Sequence, residues 1–192
     1  MRKYELTEET KTLSGGTVLH RIRALRDIPR FGVKAGELGG FVEGESNLSQ
    51  DGNAWVSGDA WVSCDALVSG NACVRGNAKV FGDALVSVNA KVFGDAKVYG
   101  KAKVYGNAEV RGDALVSGNA DYMVIKNIWS SGRWFTYTSS NKKWVVGCFY
   151  GTGEELVKKA YADSELSGRC YEAIVRAVET IEEAKAEEEE KK

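Results

Sequence analysis

Valine recurs at positions 56, 62, 68, 74, 80, 86, 92, 98, 104, 110 and 116, every six residues without a slip. Alanine follows each of these valines by four residues, from Ala60 to Ala120. A period of six gathers the valines on no single helix face, but it suits a short strand. In Ala-x-Val-x the side chains alternate inward and outward. The Gly-Asp or Gly-Asn pair that follows turns a corner, because glycine tolerates positive φ and Asp or Asn bonds its own backbone. Four strand residues and a two-residue corner, always in the same sense, cannot make a hairpin ladder. They make a solenoid whose coils stack about 4.8 Å apart. Cys64 and Val88 replace the corner glycine, and Lys101 replaces the corner Asp or Asn.

An aliphatic residue at the first position of the repeat and a small one at the fifth resemble the hexapeptide-repeat proteins. That resemblance implies three hexads per triangular coil and a left-handed sense. The expected fold is therefore mainly β: a left-handed parallel β-helix over 42–121 with an N-terminal β cap over 1–41. A small C-terminal β-plus-α module follows over 122–186, and a charged tail over 187–192. Val42 and Leu48 extend the interior period backward, whereas Leu48 and Val56 are eight apart, which predicts a two-residue bulge in "LSQDGNAWV". The solenoid then holds about four and a half coils, about 20 Å of stacked strand.

Solenoid ends expose unpaired backbone and need caps. "KYEL" and "TVLHRIRAL" read as cap strands, and "FGVKAGELGGF" as a glycine-rich entry to the first coil. After Asp121, "YMVIKNIW", "RWFTYT" and "KWVVGCF" alternate apolar and polar, with turns at "SSG" and "SSNK". "TGEE" places Thr152 and Glu155 as a capping box opening a helix over 154–162. A second helix is expected over 164–186, with Leu166, Tyr171, Ile174, Val175, Val178 and Ile181 as its apolar stripe.

Several functions are argued against by what the chain lacks. The four cysteines form no CxxC pair and His20 is the single histidine, so no zinc site and no three-histidine carbonic anhydrase centre is expected. No GxxxxGK[ST] motif occurs. No cofactor is expected. The net charge is −1, and residues 56–121 carry seven basic and seven acidic side chains, which argues against a duplex-DNA clamp and a DNA mimic alike. No run of 18 apolar residues is present and "MRKYELTEETK" has no apolar core, so a cytoplasmic protein without a membrane span is expected.

With a monotonous interior, specificity has to lie outside. Strands three hexads apart stack on one face of the triangle. Face one then shows Trp55, Cys73, Lys91 and Glu109 with Ser57, Arg75, Phe93 and Arg111. Face two shows Trp61, Lys79, Lys97 and Leu115 with Ser63, Phe81, Tyr99 and Ser117. Face three shows Leu67, Leu85 and Lys103 with Ser69, Ser87 and Tyr105, and continues to Asp121 and Met123. Leu67 and Leu85 form an apolar stripe suited to an interface, with another subunit in a homo-oligomer or with the chain's own C-terminal helix. Lys79 and Lys97 beside Phe81 and Tyr99 could grip a partner, a nucleotide or single-stranded nucleic acid, or form a ladder that only stabilises the sheet. The candidate contact residues are Phe81, Phe93, Tyr99, Tyr105, Lys79 and Lys97, together with Arg21, Arg23 and Arg26 from the basic stretch 20–34.

"YELTEET", "RIRAL", "LGGFVE", "NLSQDGNAWV" and "GCFYGTGEEL" together resemble small accessory proteins of bacteriophages and prophages. That resemblance implies a non-catalytic binder that blocks a host protein, such as a component of a CRISPR–Cas defence. The alternatives are a nucleotide sponge and a hexapeptide-repeat acyltransferase. The latter would rest on His20, which precedes the coils, and eleven uninterrupted hexads leave no room for an active-site loop.

Overall fold

The computed structural model describes residues 2–129 and 132–191. The chain opens with an antiparallel hairpin, β1 (Tyr4–Thr12) and β2 (Val18–Ala24), and β3 (Leu38–Val42) pairs antiparallel with β2. Eleven two-residue strands follow at six-residue intervals: β4 (Trp55–Val56), β5 (Trp61–Val62), β6 (Leu67–Val68), β7 (Cys73–Val74), β8 (Lys79–Val80) and β9 (Leu85–Val86), then β10 (Lys91–Val92), β11 (Lys97–Val98), β12 (Lys103–Val104), β13 (Glu109–Val110) and β14 (Leu115–Val116). They stack in parallel as three faces, β4-β7-β10-β13, β5-β8-β11-β14 and β6-β9-β12. The period-six reading and the face assignments hold through these strands. The result is a parallel β-solenoid of about four coils.

Every valine from Val56 to Val116 in the repeat is 0 % exposed, and the repeat alanines from Ala60 to Ala114 are at most 1 % exposed. Each fully buried valine is worth about 1.5 kcal/mol or more, and alanine leaves room for the next wall of the narrow triangle. At the Asp113 corner the carboxylate bonds its own backbone, as expected, and other corner side chains make a further kind of bond. They bond between coils: Asn53 Nδ2 donates to Asn71 Oδ1 at 2.9 Å, and Asn77 Nδ2 to Asp95 Oδ1 at 3.0 Å. The positive-φ residue before each of these side chains aims it along the solenoid axis, where the next coil offers the same group.

The N-terminal cap continues face two. β3 pairs parallel with β5, Phe41 opposite Trp61, so that face becomes a seven-stranded sheet. The cap backbone crosses the first coil closely at Gly39 and Gly40, where a Cβ would lie 2.6 Å from Val56 O and 2.5 Å from Ala60 O respectively. This approach corrects one expectation: Trp55 faces outward on its strand but is 1 % exposed, covered by the cap. The bulge after Leu48 is present. Leu48 bridges to Val68, 20 residues on, whereas Trp55 pairs with Cys73, 18 on, and both Asn53 N and Ala54 N donate to Gly70 O at 2.8 Å.

The C-terminal module is a second cap. β15 (Tyr122–Lys126), β16 (Trp134–Thr138), β17 (Lys143–Val146) and β18 (Phe149–Gly151) form an antiparallel sheet. The expected Ser-Ser-Gly turn falls on Ser130 and Ser131, outside the described residues. Three backbone N–H groups of the last strands are closed by side chains: Lys103 N by Asn119 Oδ1 at 3.0 Å, Glu109 N by Thr136 Oγ1 at 3.0 Å and Leu115 N by Ser140 Oγ at 2.8 Å. Each would otherwise be an open ladder donor. Face three stops at β12 instead of running on through Asp121 and Met123. The Asp121 carboxylate accepts from Ser117 N at 2.6 Å and Gly118 N at 2.9 Å, which turns the chain into the antiparallel sheet.

Two helices complete the chain, α1 (Gly153–Asp163) and α2 (Glu165–Glu189). The capping box is formed: Thr152 Oγ1 accepts from Glu155 N at 3.2 Å and Glu155 Oε2 from Thr152 N at 2.8 Å. Val175 and Val178 of α2 bury against Phe135, Tyr137 and Trp144 in a second core. The helix continues three residues past 186, because nothing in the run of glutamates and alanines breaks it. Leu166 and Ile181 of the expected stripe remain exposed.

Candidate functional site

Face two carries a ladder of stacked rings. The Trp61 and Phe81 centroids are 5.6 Å apart, and Phe81 and Tyr99 lie 5.3 Å apart with planes 10° from parallel. Trp61 points out from β5, whereas Phe81 and Tyr99 follow the valines of β8 and β11, so successive coils deliver ring after ring at the stacking interval. All three are half-buried. Lys79 Nζ lies 5.8 Å from the Trp61 ring centre, and Lys97, its partner across the strand pair, is exposed. The lysines and rings thus share one outward surface that offers stacking and positive charge.

The ladder lies between two hollows. At its N-terminal end, Lys11, Leu13 and Ser14 of the first hairpin share a pocket of about 500 Å³ with Trp61 and Lys79. At its C-terminal end, Tyr99 and Leu115 form one wall of a cleft of about 780 Å³. The other walls are the β16–β17 turn and the second half of α2, which contributes Glu179, Glu182 and Glu183. Spacings of three and four residues put these three glutamates on one helix face. Asp121 lies in the same cleft. Burial pushes its carboxyl up, but the hydrogen bonds from Ser117 and Gly118, with Lys185 nearby, hold it below the ordinary value. Lys185 Nζ donates to Glu182 Oε1 at 2.8 Å and to Ala120 O at 3.1 Å, pinning the helix to the end of the solenoid.

The remaining expected contact residues are dispersed. Phe93 is on face one, sandwiched between the guanidiniums of Arg75 at 4.6 Å and Arg111 at 4.5 Å. Tyr105, 56 % exposed, shares a separate pocket with Tyr122 and Trp134. Arg21, Arg23 and Arg26 fasten the cap. Arg21 stacks on Phe41 at 4.8 Å and pairs with Glu9 at 3.0 Å, Arg23 pairs with Glu5 at 3.4 Å, and Arg26 donates to Gly52 O at 2.8 Å. Leu67 and Leu85 sit opposite each other on face three, both half-buried. His20 is half-buried on β2 with Nδ1 3.4 Å from Thr7 O. Among the described residues no three His, Cys, Asp or Glu side chains gather as a metal site, and no helix is long and apolar enough to cross a membrane.

Trp61 completes the ladder although sequence reasoning did not single it out; its place on face two with Phe81 was the available signal. The acidic cleft was not legible, because it needs the return of α2 over the last coil. No protein-family model matches this chain, and no curated protein matches it.

Proposed function

We propose that this chain is a non-catalytic binding protein that engages a partner protein across face two. The observation that carries the reading is the stacked Trp61–Phe81–Tyr99 ladder flanked by Lys79 and Lys97. Aromatic rings held in place by stacking offer large contact area at little entropic cost, and such residues dominate binding energy at interfaces. The resemblance to bacteriophage and prophage accessory proteins supports a bacterial host protein as the partner, with a defence component as the class, and inhibition as the consequence.

The test is capture from bacterial lysate with the wild-type chain and with a Phe81→Ala/Tyr99→Ala variant whose circular dichroism is unchanged. The reading expects one host protein retained by the wild type, by His20→Ala and by Phe93→Ala, and lost with the ladder variant. Affinity for the purified partner should fall at least thirtyfold in the ladder variant, which corresponds to about 2 kcal/mol. Retention of the partner by the ladder variant overturns the assignment of face two. A nucleotide carried through purification in native mass spectra would instead make the protein a sponge, and His20-dependent consumption of acetyl-CoA would make it an acyltransferase.

A further inference from the structure

The cleft at the C-terminal end of the ladder contains a polar group that the fold leaves unused. Tyr137 lines the cleft and is 6 % exposed, with its ring 5.0 Å from Trp144 in the second core. Among the described residues its hydroxyl has no hydrogen-bond partner. The described polar atoms enclosed without a hydrogen-bond partner are Arg21 Nε, Arg111 Nε and Trp129 Nε1, so the Tyr137 hydroxyl is open to the cleft while its ring is packed in the core. Glu179 and Glu182 line the same cleft, and burial first, then their charges, push the Tyr137 ionisation up to about 12. The cleft therefore combines an open hydroxyl with Asp121, Glu179, Glu182 and Glu183, against which, among the described residues, stand Lys142 and Lys185. Lys185 is already engaged with Glu182. Tyr99 belongs to both the ladder and the cleft, so the two surfaces are continuous.

We propose that the cleft between the last coil and α2 is a receptor for an arginine-bearing segment of the partner protein. The inference rests on the binding role of face two and names the chemistry of what docks there. A guanidinium is planar and stacks on a ring such as Tyr99. It also presents several N–H donors, enough for Glu179 or Glu183 and the Tyr137 hydroxyl together. A lysine ammonium matches the charge without the stacking. A cleft of about 780 Å³ is larger than one side chain needs, which favours a peptide segment over a single small cation.

The experiment uses the full chain and a fluorescein-labelled hexa-arginine peptide, followed by anisotropy at physiological salt. A hexalysine peptide and spermine serve as competitors. Glu179→Gln/Glu183→Gln should weaken the arginine peptide at least tenfold. Glu165→Gln/Glu188→Gln removes the same charge elsewhere on α2 and should change affinity less than twofold. Tyr137→Phe should weaken binding about threefold or more without lowering the melting temperature, since its hydroxyl supports nothing in the free protein. Hexalysine should compete at least threefold less well. Equal losses from the two glutamine pairs would reduce the effect to general acidity and overturn the proposal. So would no loss from Glu179→Gln/Glu183→Gln, while spermine displacing the peptide at equal or lower concentration would assign the cleft to free polyamines and overturn the protein partner. If the captured host protein is lost with the Phe81→Ala/Tyr99→Ala variant but kept by Glu179→Gln/Glu183→Gln, the ladder stands and the cleft proposal falls.

Discussion

Two glycines with nearly the same backbone separate the two reasons a corner of this solenoid needs glycine. Gly94 has φ +77° and Gly106 has φ +70°. A Cβ on Gly106 would meet nothing within 4 Å, whereas one on Gly94 would lie 2.9 Å from Gly112 O and 3.0 Å from Gly112 N. Gly106→Ala therefore bears only the left-handed penalty, about 1–2 kcal/mol, offset by about 0.4–1 kcal/mol because alanine restricts the unfolded chain. The net loss is about 1.6 kcal/mol or less. Gly94→Ala bears the same penalty and also forces the next coil away. The groups it meets are backbone, and Gly112 O accepts the hydrogen bond from Asp95 N at 2.8 Å. Weakening that bond adds about 1 kcal/mol, and the contact itself adds more, so a loss of about 2–3 kcal/mol is expected. Urea titrations followed by circular dichroism measure both variants, with an unchanged slope as the condition for comparing them. A Gly94→Ala loss within about 0.5 kcal/mol of the Gly106→Ala loss would refute the argument that coil-to-coil contact, and not φ alone, selects glycine at the corners.

Other outcomes test the rest of the architecture. Val80 is 0 % exposed in the middle of the solenoid, so Val80→Asp should cost several kcal/mol, and an unchanged melting midpoint would refute its interior position. Lys3 is 0 % exposed with Nζ 3.4 Å from Asp51 O, and burial, assisted by the Arg26 charge, lowers its pKa from 10.5 to about 8. The folded chain thus sheds a proton that the unfolded chain keeps, and this group makes stability rise between pH 8 and 10.5; Lys3→Met should abolish the rise in urea titrations across that range. Above about pH 10 the sign reverses. Burial raises Tyr4 and Tyr137 to about 12, so the folded state retains protons the unfolded state loses, and stability should fall. Assembly through Leu67 and Leu85 predicts a homo-oligomer, a trimer or a dimer, by light scattering at micromolar concentration, and a monomer would refute it.

The repeat determined the solenoid directly. With valine every six residues and a turn pair between, one side of each strand has to be buried, and only coils in the same register bury all of it. The partition of outward residues into faces follows from the same count, which is why Phe81, Tyr99, Lys79 and Lys97 could be grouped before any coordinates. The Thr152–Glu155 capping box and the bulge after Leu48 were also legible, because each is a local event of a few residues. Tertiary structure decided whatever depends on chain returning from a distance. Trp55 is outward by its strand parity yet buried, because Gly39 lets the cap backbone come close. Arg21, Arg23 and Arg26 read as a free basic patch in sequence, but β1 and the bulge after Leu48 bring Glu9, Glu5 and the Gly52 carbonyl to them. Phe93 repeats the position of Phe81 one face away and is closed between two guanidiniums. Tyr137, Asp121 and the glutamates of α2 are separated by up to 62 residues and meet only because the second cap folds back over the last coil. Periodicity records which side of a strand faces inward, since that burial repeats at every coil. It carries no record of which distant segment will cover the outward side, because that depends on contacts made once.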